Sequence, residues 1–328
     1  MWSLLRWLTG VILVFVLSAG GAGTWGYYLF IQPGPVTTET TVIIPKGAGV
    51  DRIAALLAER GLISNALVFR LGAMARDATT SLRAGEYLIP AYVSSDDVIK
   101  ILRSGKTVMR RVTVAEGLTT TEVLKRLFQI EGLTGPITSR PGEGRLLPET
   151  YHFSYGDTRE GLVQRMRVAM DKTLGELWAK RTASVPFKTP AEALVMASIV
   201  ERETGLAHER AKVAGVFVNR LNLGMRLQSD PTVIYGLTGT SGSLSRRLTR
   251  KDLADSHVYN TYIHHGLPPG PISNPGRAAL EAALNPAETD ALYFVANGTG
   301  GHSFAGTLKE HNRNVAAWRK IRRSKKAP

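Results

Sequence analysis

The chain contains no cysteine. Disulfides, thiolate metal sites and cysteine nucleophiles are therefore excluded, as is a lipidated cysteine anchor. A cysteine-free chain is compatible with an oxidising compartment, without demonstrating one. Acidic residues are also scarce, 27 against 41 lysines and arginines, which leaves a formal charge of +14. That balance favours anionic partners in general, a lipid surface, an acidic polymer or nucleic acid. No recognisable nucleic-acid motif accompanies the charge. Part of it sits in the terminal run Arg319, Lys320, Arg322, Arg323, Lys325 and Lys326, which reads as a frayed basic end. The seven histidines lack metal-ligand spacing such as H-E-x-x-H, so no metal or other cofactor is expected. Asn297–Gly301 is glycine-rich but precedes a short strand instead of a helix, so it reads as a hairpin turn and not a phosphate loop. There is no internal repeat and no low-complexity segment.

One long apolar run is present. Leu8 to Ile31 carries no charge over 24 residues, enough to span a bilayer with some tilt. Arg6 precedes it and Glu39 is the next charge, so the positive-inside bias places residues 1–7 in the cytoplasm and the bulk of the chain outside. Trp25, Tyr27 and Tyr28 suit an aromatic belt at the outer face. A cleaved signal peptide, with Ser18–Gly23 as its small-residue site, is the competing reading. The apolar Tyr27–Ile31 stretch beyond that site favours a retained anchor.

Beyond a stiff Gln32-Pro33-Gly34-Pro35 linker, periodicity gives a strand at Thr40–Ile44 and a helix over Gly49–Arg60. A helix capped by Ser64 or Asn65 runs to about Arg76, a strand returns at Gly85–Pro90, and a helix opens at Ser94–Ser95 and ends near Gly105. Residues 40–106 thus form a small β-α-α-β subdomain with one further helix and few catalytic groups.

A larger mixed α+β domain is expected over 107–323, followed by a basic tail at 324–328. It starts with a strand at Met109–Val114 and a helix over Thr119–Glu131 with the capping pattern Thr119…Glu122. Leu146–Phe153 reads as a turn and short strand, Gly161–Arg181 as a long helix, and Lys212–Leu221 as helical. A strand at Ala291–Val295 and a last helix over His311–Arg323 close the chain.

The most informative helix spans Thr189–Thr204. Thr189, Pro190 and Glu192 give it an N-cap, a proline at the first turn and an acid at the third position. Glu203 shares a face with Met196, Ile199 and Val200, whereas Glu201 lies near Leu194, Ala197 and Ser198, a less apolar face. A carboxyl against branched apolar side chains has its charged form disfavoured, as a general acid requires. Pattern alone leaves open that Glu203 points to solvent or pairs with Arg202 or Arg210. The segments Phe217–Leu221, Met225–Gly236, Tyr259–Tyr262 and Gly266–Pro275 mix amides, hydroxyls and aromatics in turn-rich backbone. Sugar sites use that mix, and so do ordinary loops.

Taken together, Ala197-Ser198-Ile199-Val200-Glu201-Arg202-Glu203-Thr204 and these four segments, in this order, resemble the endolytic murein transglycosylase (YceG-like) family over nearly the whole chain. The resemblance implies a single-pass protein of the bacterial cytoplasmic (inner) membrane, with its catalytic domain in the periplasm. It also implies a LysM-like subdomain at 40–106 and a catalytic domain beyond it. The implied reaction is lytic cleavage of the β-1,4 bond between N-acetylmuramic acid and N-acetylglucosamine in peptidoglycan strands, leaving 1,6-anhydro ends. The second glutamate of the E-x-E pair, Glu203, is the implied catalytic residue. Glu149 stands at the acidic place of a variant aromatic-proline-acid run. Glu149, Glu201 and Asp230 are candidates for support, and Asn219, Gln228, Tyr235, Asn260 and Tyr262 for sugar contacts. Peptidoglycan synthases are the implied partners. A hydrolase using Glu149 or Asp230 to activate water, and a glycan-binding anchor without catalysis, are the rival readings.

Overall fold

The computed structural model describes residues 2–324. Residues 325–328 of the expected basic tail lie outside the described residues. The chain divides into two units, Met1–Arg110 with His152–Asp157, and Arg111–Tyr151 with Thr158–Pro328.

The first unit opens with α1 (Trp2–Ile31), followed by β1 (Thr40–Ile44), α2 (Val50–Glu59), α3 (Ala66–Ala75), β2 (Gly85–Ile89) and α4 (Ser95–Ser104). The apolar stretch of α1 suited to a membrane is Leu5–Ile31. The helix thus begins well before the uncharged run does. β1 and β2 pair antiparallel with Thr40 opposite Ile89 and Ile44 opposite Gly85. Their inward residues Val42, Ile44, Tyr87 and Ile89 meet Ile53 and Leu57 of α2, Phe69 of α3, and Val98 and Leu102 of α4 in one core. Asn65, not Ser64, caps α3, its Oδ1 accepting from the amides of Leu67 and Val68. Ser94 caps α4, and Gly105, in the left-handed region, ends it.

The second unit contains α5 (Thr120–Phe128), α6 (Arg159–Ala179), α7 (Pro190–Glu203), α8 (Ala207–Asn222), α9 (Asp230–Thr238), the short α10 (Arg250–Leu253) and α11 (Arg277–Leu284). The hairpin β5 (Tyr293–Ala296) and β6 (His302–Ala305) and the closing α12 (Leu308–Ser324) complete it. Strands β3 (Met109–Thr113) and β4 (Thr150–Ser154) pair, and the division between units falls within both of them. The sequence expectation set its boundary at 107, and the return of 152–157 to the first unit leaves no signal in local pattern.

Helix α7 is the axis of the second core. Every residue from Ala193 to Val200 is buried, among α6, α8, α9 and α11. A helix apolar all round belongs inside a domain, and the expected contrast between a greasy Glu203 face and a milder Glu201 face disappears. Three other expectations change. α5 stops at Phe128 and not at Glu131, because the Gln129 amide turns back onto Arg126 and Gly132 takes a positive φ. α8 begins five residues before Lys212, so that Glu209 and Arg210 lie inside it. The stretch after Ser229, read as turn-rich, is helical. Pro231 sits in the first turn of α9, where its missing N–H costs nothing.

Candidate active site

Glu203 is the last residue of α7. At Thr204 the backbone turns extended, with φ −143° and ψ 131°. The carboxyl is thereby presented at a helix end. Across from it, Ser229 Oγ donates to Glu203 Oε1 at 2.5 Å. Ser229 is the N-cap of α9, yet its side chain caps nothing in that helix. A residue type that ordinarily satisfies a helix amide is here aimed at a carboxyl 26 positions away. Its aim is fixed by a buried hydroxyl cluster. The Ser229 amide donates to Thr261 Oγ1 at 2.9 Å, Thr232 Oγ1 donates to the Ser229 carbonyl at 2.7 Å, and the Thr232 and Thr261 hydroxyls lie 2.8 Å apart. The preceding residue, Gln228, has φ 52°, a left-handed conformation costing a non-glycine residue about 1–2 kcal/mol. That kink directs the chain into the cluster.

Glu203 lines a cavity of about 420 Å³ together with Phe217, Arg220, Gln228, Asp230, Tyr262 and Tyr293, among others. Burial pushes its carboxyl up to about 7. The Asp230 charge adds to the rise, while the Ser229 bond and the Arg220 charge oppose it. Tyr262 donates its hydroxyl proton to Asp230 Oδ1 at 2.7 Å. Arg220 is buried and spans the wall. Its Nε donates to the Leu292 carbonyl at 2.6 Å, its Nη1 to the Leu227 carbonyl at 2.8 Å, and its guanidinium lies 5.1 Å from the Tyr293 ring centre. The other face of the site carries His311, stacked on Tyr293 at 5.1 Å. Its Nδ1 is buried without a hydrogen-bond partner among the described residues. Burial and the Arg220 charge lower the pKa of its imidazole from the ordinary histidine value. Flat rings, a protonated acid and amide or hydroxyl groups facing one cavity can grip a sugar and donate a proton to its glycosidic oxygen.

Of the residues expected from sequence, Gln228, Asp230 and Tyr262 join Glu203 in this cavity. The others are placed elsewhere. Glu201 Oε2 accepts from the Gly276 amide at 2.8 Å and its Oε1 lies 3.9 Å from Arg210, so this buried carboxyl fastens α7 to the loop before α11. Asn219 donates to the carbonyls of Thr289 and Ala291. Asn260 donates to the Leu253 and Asp255 carbonyls and accepts from the Tyr262 amide. Both amides are spent on main chain, the second of them in positioning Tyr262. Glu149 is exposed and does not line the cavity. Tyr235 instead bonds Glu143, at 3.4 Å, and packs on Tyr259 at 4.9 Å.

Sequence reasoning missed Ser229, Arg220, Tyr293, His311 and Glu143. Glu143 is partly buried, accepting from the amides of Thr120 at 2.7 Å and Gly144 at 3.3 Å, and burial raises its pKa. Asn274 beside it accepts from the Leu146 amide and donates to the Leu118 carbonyl. Arg202 reaches the Gly117 carbonyl at 3.1 Å. These bonds join the segments around Leu118, Glu143 and Asn274 to one another, and Arg202 ties α7 to the first of them. The signals available were an Asp-Pro after Ser229, which announced a cap, and aromatic residues on a predicted hairpin. Neither distinguishes a wall from an ordinary turn.

Known proteins resemble this chain over most of its length. The model of the YceG-like family matches residues 42–317. A protein of Streptococcus pneumoniae serotype 2 (strain D39), named endolytic murein transglycosylase, is 31% identical over 354 residues. The match covers 93% of this chain and 64% of that relative, so the chain spans less than two thirds of its length. A Bacillus subtilis (strain 168) protein of the same name is 33% identical over 332 residues, covering 90% of each. The crystal structure of a YceG-like protein from Listeria monocytogenes superposes with a TM-score of 0.52 at 32% identity, covering 84% of this chain and 99% of that one.

Proposed function

The chain belongs to the YceG-like family, and from that premise we propose that it is a membrane-anchored endolytic transglycosylase acting on peptidoglycan. The observation that carries the reading is Glu203, a carboxyl whose burial pushes its pKa up to about 7, held by Ser229 at the edge of an aromatic-lined cavity. The names of the relatives support the substrate class.

In this reading, protonated Glu203 donates to the oxygen between N-acetylmuramic acid and N-acetylglucosamine as positive charge develops at C1. The resulting carboxylate takes the proton from the C6 hydroxyl of the same muramic residue, whose oxygen attacks C1 and closes a 1,6-anhydro ring. The attacking oxygen belongs to the substrate, so no second carboxylate need activate water. Ser229 steadies the charged state between the two transfers. Asp230, held by Tyr262, supports the positive charge at C1. In this reading α1 anchors the chain, and the catalytic unit works outside the cytoplasmic membrane, where nascent strands emerge. Cutting there ends strand elongation beside the synthases that make them, and the 40–106 subdomain serves as a LysM-like glycan holder. Digestion of purified glycan strands is expected to give products with 1,6-anhydro ends by mass spectrometry. Reducing ends instead would establish a hydrolase.

The pH profile follows from the same carboxyl. The acid must be protonated in the free enzyme, so kcat/KM is expected to fall about tenfold per pH unit above about 7. The Ser229 bond favours the carboxylate, so Ser229→Ala is expected to move this limb to higher pH, with a lower plateau because the carboxylate formed between the two transfers loses the hydrogen bond that steadies it. A limb unchanged in the variant would remove Ser229 from the acid's environment.

A further inference from the structure

Helix α3 presents two faces. Phe69 and Ala73 are fully buried in the core of the first unit. On the opposite side Leu67, Leu71 and Met74 are exposed by 53%, 53% and 60%, at the four-then-three spacing of one helical stripe. Three large apolar side chains in a row on an otherwise mixed surface mark an interaction site.

The place of the stripe identifies its occupant. The apolar part of α1 is Leu5–Ile31, 27 residues. At about 1.5 Å per residue it is about 40 Å long, roughly 10 Å more than the hydrocarbon core of a bilayer. Trp25, Tyr27 and Tyr28 mark the last turns of α1 as its interfacial end. Helix α3 packs against that same end. The ring of Phe30 lies on Gly72, where any Cβ would come within 2.1 Å of it. Ala22, Gly23 and Gly26 of α1 face Gly72 and Ala75 of α3 across a groove of about 610 Å³. The contact of Phe30 with Gly72 sets α3 beside the last turn of the span. Arg70, three residues from Leu67 and four from Met74, borders the stripe and ion-pairs with Asp51 at 3.3 Å, and Arg76 at the end of the helix ion-pairs with Asp96 at 2.9 Å.

We propose that α3 is an interfacial helix whose Leu67–Leu71–Met74 face rests in the outer leaflet of the phospholipid bilayer. The span and α3 then grip the membrane at two adjacent places and hold the first unit against the surface. Interfacial helices bury such a face by about 5–10 Å. The inference rests on α1 being a membrane anchor, and its test separates the two.

The absence of cysteine makes single labels straightforward. Leu67→Cys, Leu71→Cys, Met74→Cys and, as a depth reference, Val14→Cys are each labelled with an environment-sensitive fluorophore. Each full chain is reconstituted in phosphatidylcholine–phosphatidylglycerol vesicles carrying shallow or deep spin-labelled lipid, and separately exposed to iodide. Val14 is expected to be quenched by the deep lipid. The three α3 labels are expected to lose more fluorescence to the shallow lipid than to the deep one, and little to iodide. Quenching of the α3 labels by iodide and not by lipid overturns the proposal. Quenching by neither also overturns it, since a protein partner or a second copy then covers the face. Failure of lipid to quench Val14 overturns the anchor itself, and the proposal with it.

Discussion

Glu203→Gln is expected to abolish strand cleavage, a loss on the order of 10³–10⁴-fold, while the protein stays folded. One carboxyl is asked to act as acid and then as base, so the amide removes both steps at once. Glutamine keeps the shape and an oxygen to accept the Ser229 proton, so binding of glycan strands should persist. Stability supplies a second, independent readout. The carboxyl has its pKa raised from 4.5 to about 7 by burial. The folded state thus holds a proton that the unfolded state releases between those values. Stability from this group is fully present below about pH 4.5 and is lost as pH rises through about 7. The loss corresponds to about 3 kcal/mol at pH 8. Glutamine carries no such charge. The variant should therefore match the parent in urea unfolding at pH 4 and exceed it by up to about 3 kcal/mol at pH 8. Retained cleavage in the variant would overturn the role of Glu203. Equal stability at both pH values would overturn its burial.

The first unit was largely legible because its elements are local. Helical spacing, capping residues and alternating strands place β1 to α4 within a residue or two. The choice of Glu203 from sequence rested on other grounds. The face argument that favoured it over Glu201 fails, because α7 is buried on every side and both carboxyls are raised by burial. What separates them is tertiary. Glu201 is consumed by the Gly276 amide, and Glu203 meets Ser229 beside a cavity. The resemblance in motif order chose Glu203 without knowing this. Amides were the least legible group. Asn219 and Asn260 have the right chemistry for a sugar, but an amide that bonds a carbonyl within the fold reads the same in sequence. Glu149 and Glu143 show the same limit. Six residues apart, one is exposed and the other partly buried with backbone amides on its carboxyl, a difference that local pattern does not carry.

Arg220→Met should cost about 3–5 kcal/mol of stability and most of the activity. The side chain is buried, 8% exposed, and its guanidinium bridges carbonyls from two segments, Leu292 before β5 and Leu227 before α9. Removing it strands those carbonyls without donors, at about 1–3 kcal/mol each. The same two segments carry Tyr293 and Ser229, so both walls of the site loosen together. Arg220→Lys separates geometry from charge. An ammonium cannot span both carbonyls as a planar fork does, so stability should still fall. Its positive charge remains near Glu203, however, and continues to oppose the rise in that carboxyl's pKa. The alkaline limb of kcat/KM is thus expected near its parental pH in the lysine variant and at higher pH in the methionine variant. Urea unfolding at pH 6 and paired pH–rate profiles measure the two effects. A methionine variant with parental stability would mean that the carbonyls find other donors. Equal limbs in the two variants would mean that Arg220 acts on Glu203 through position alone.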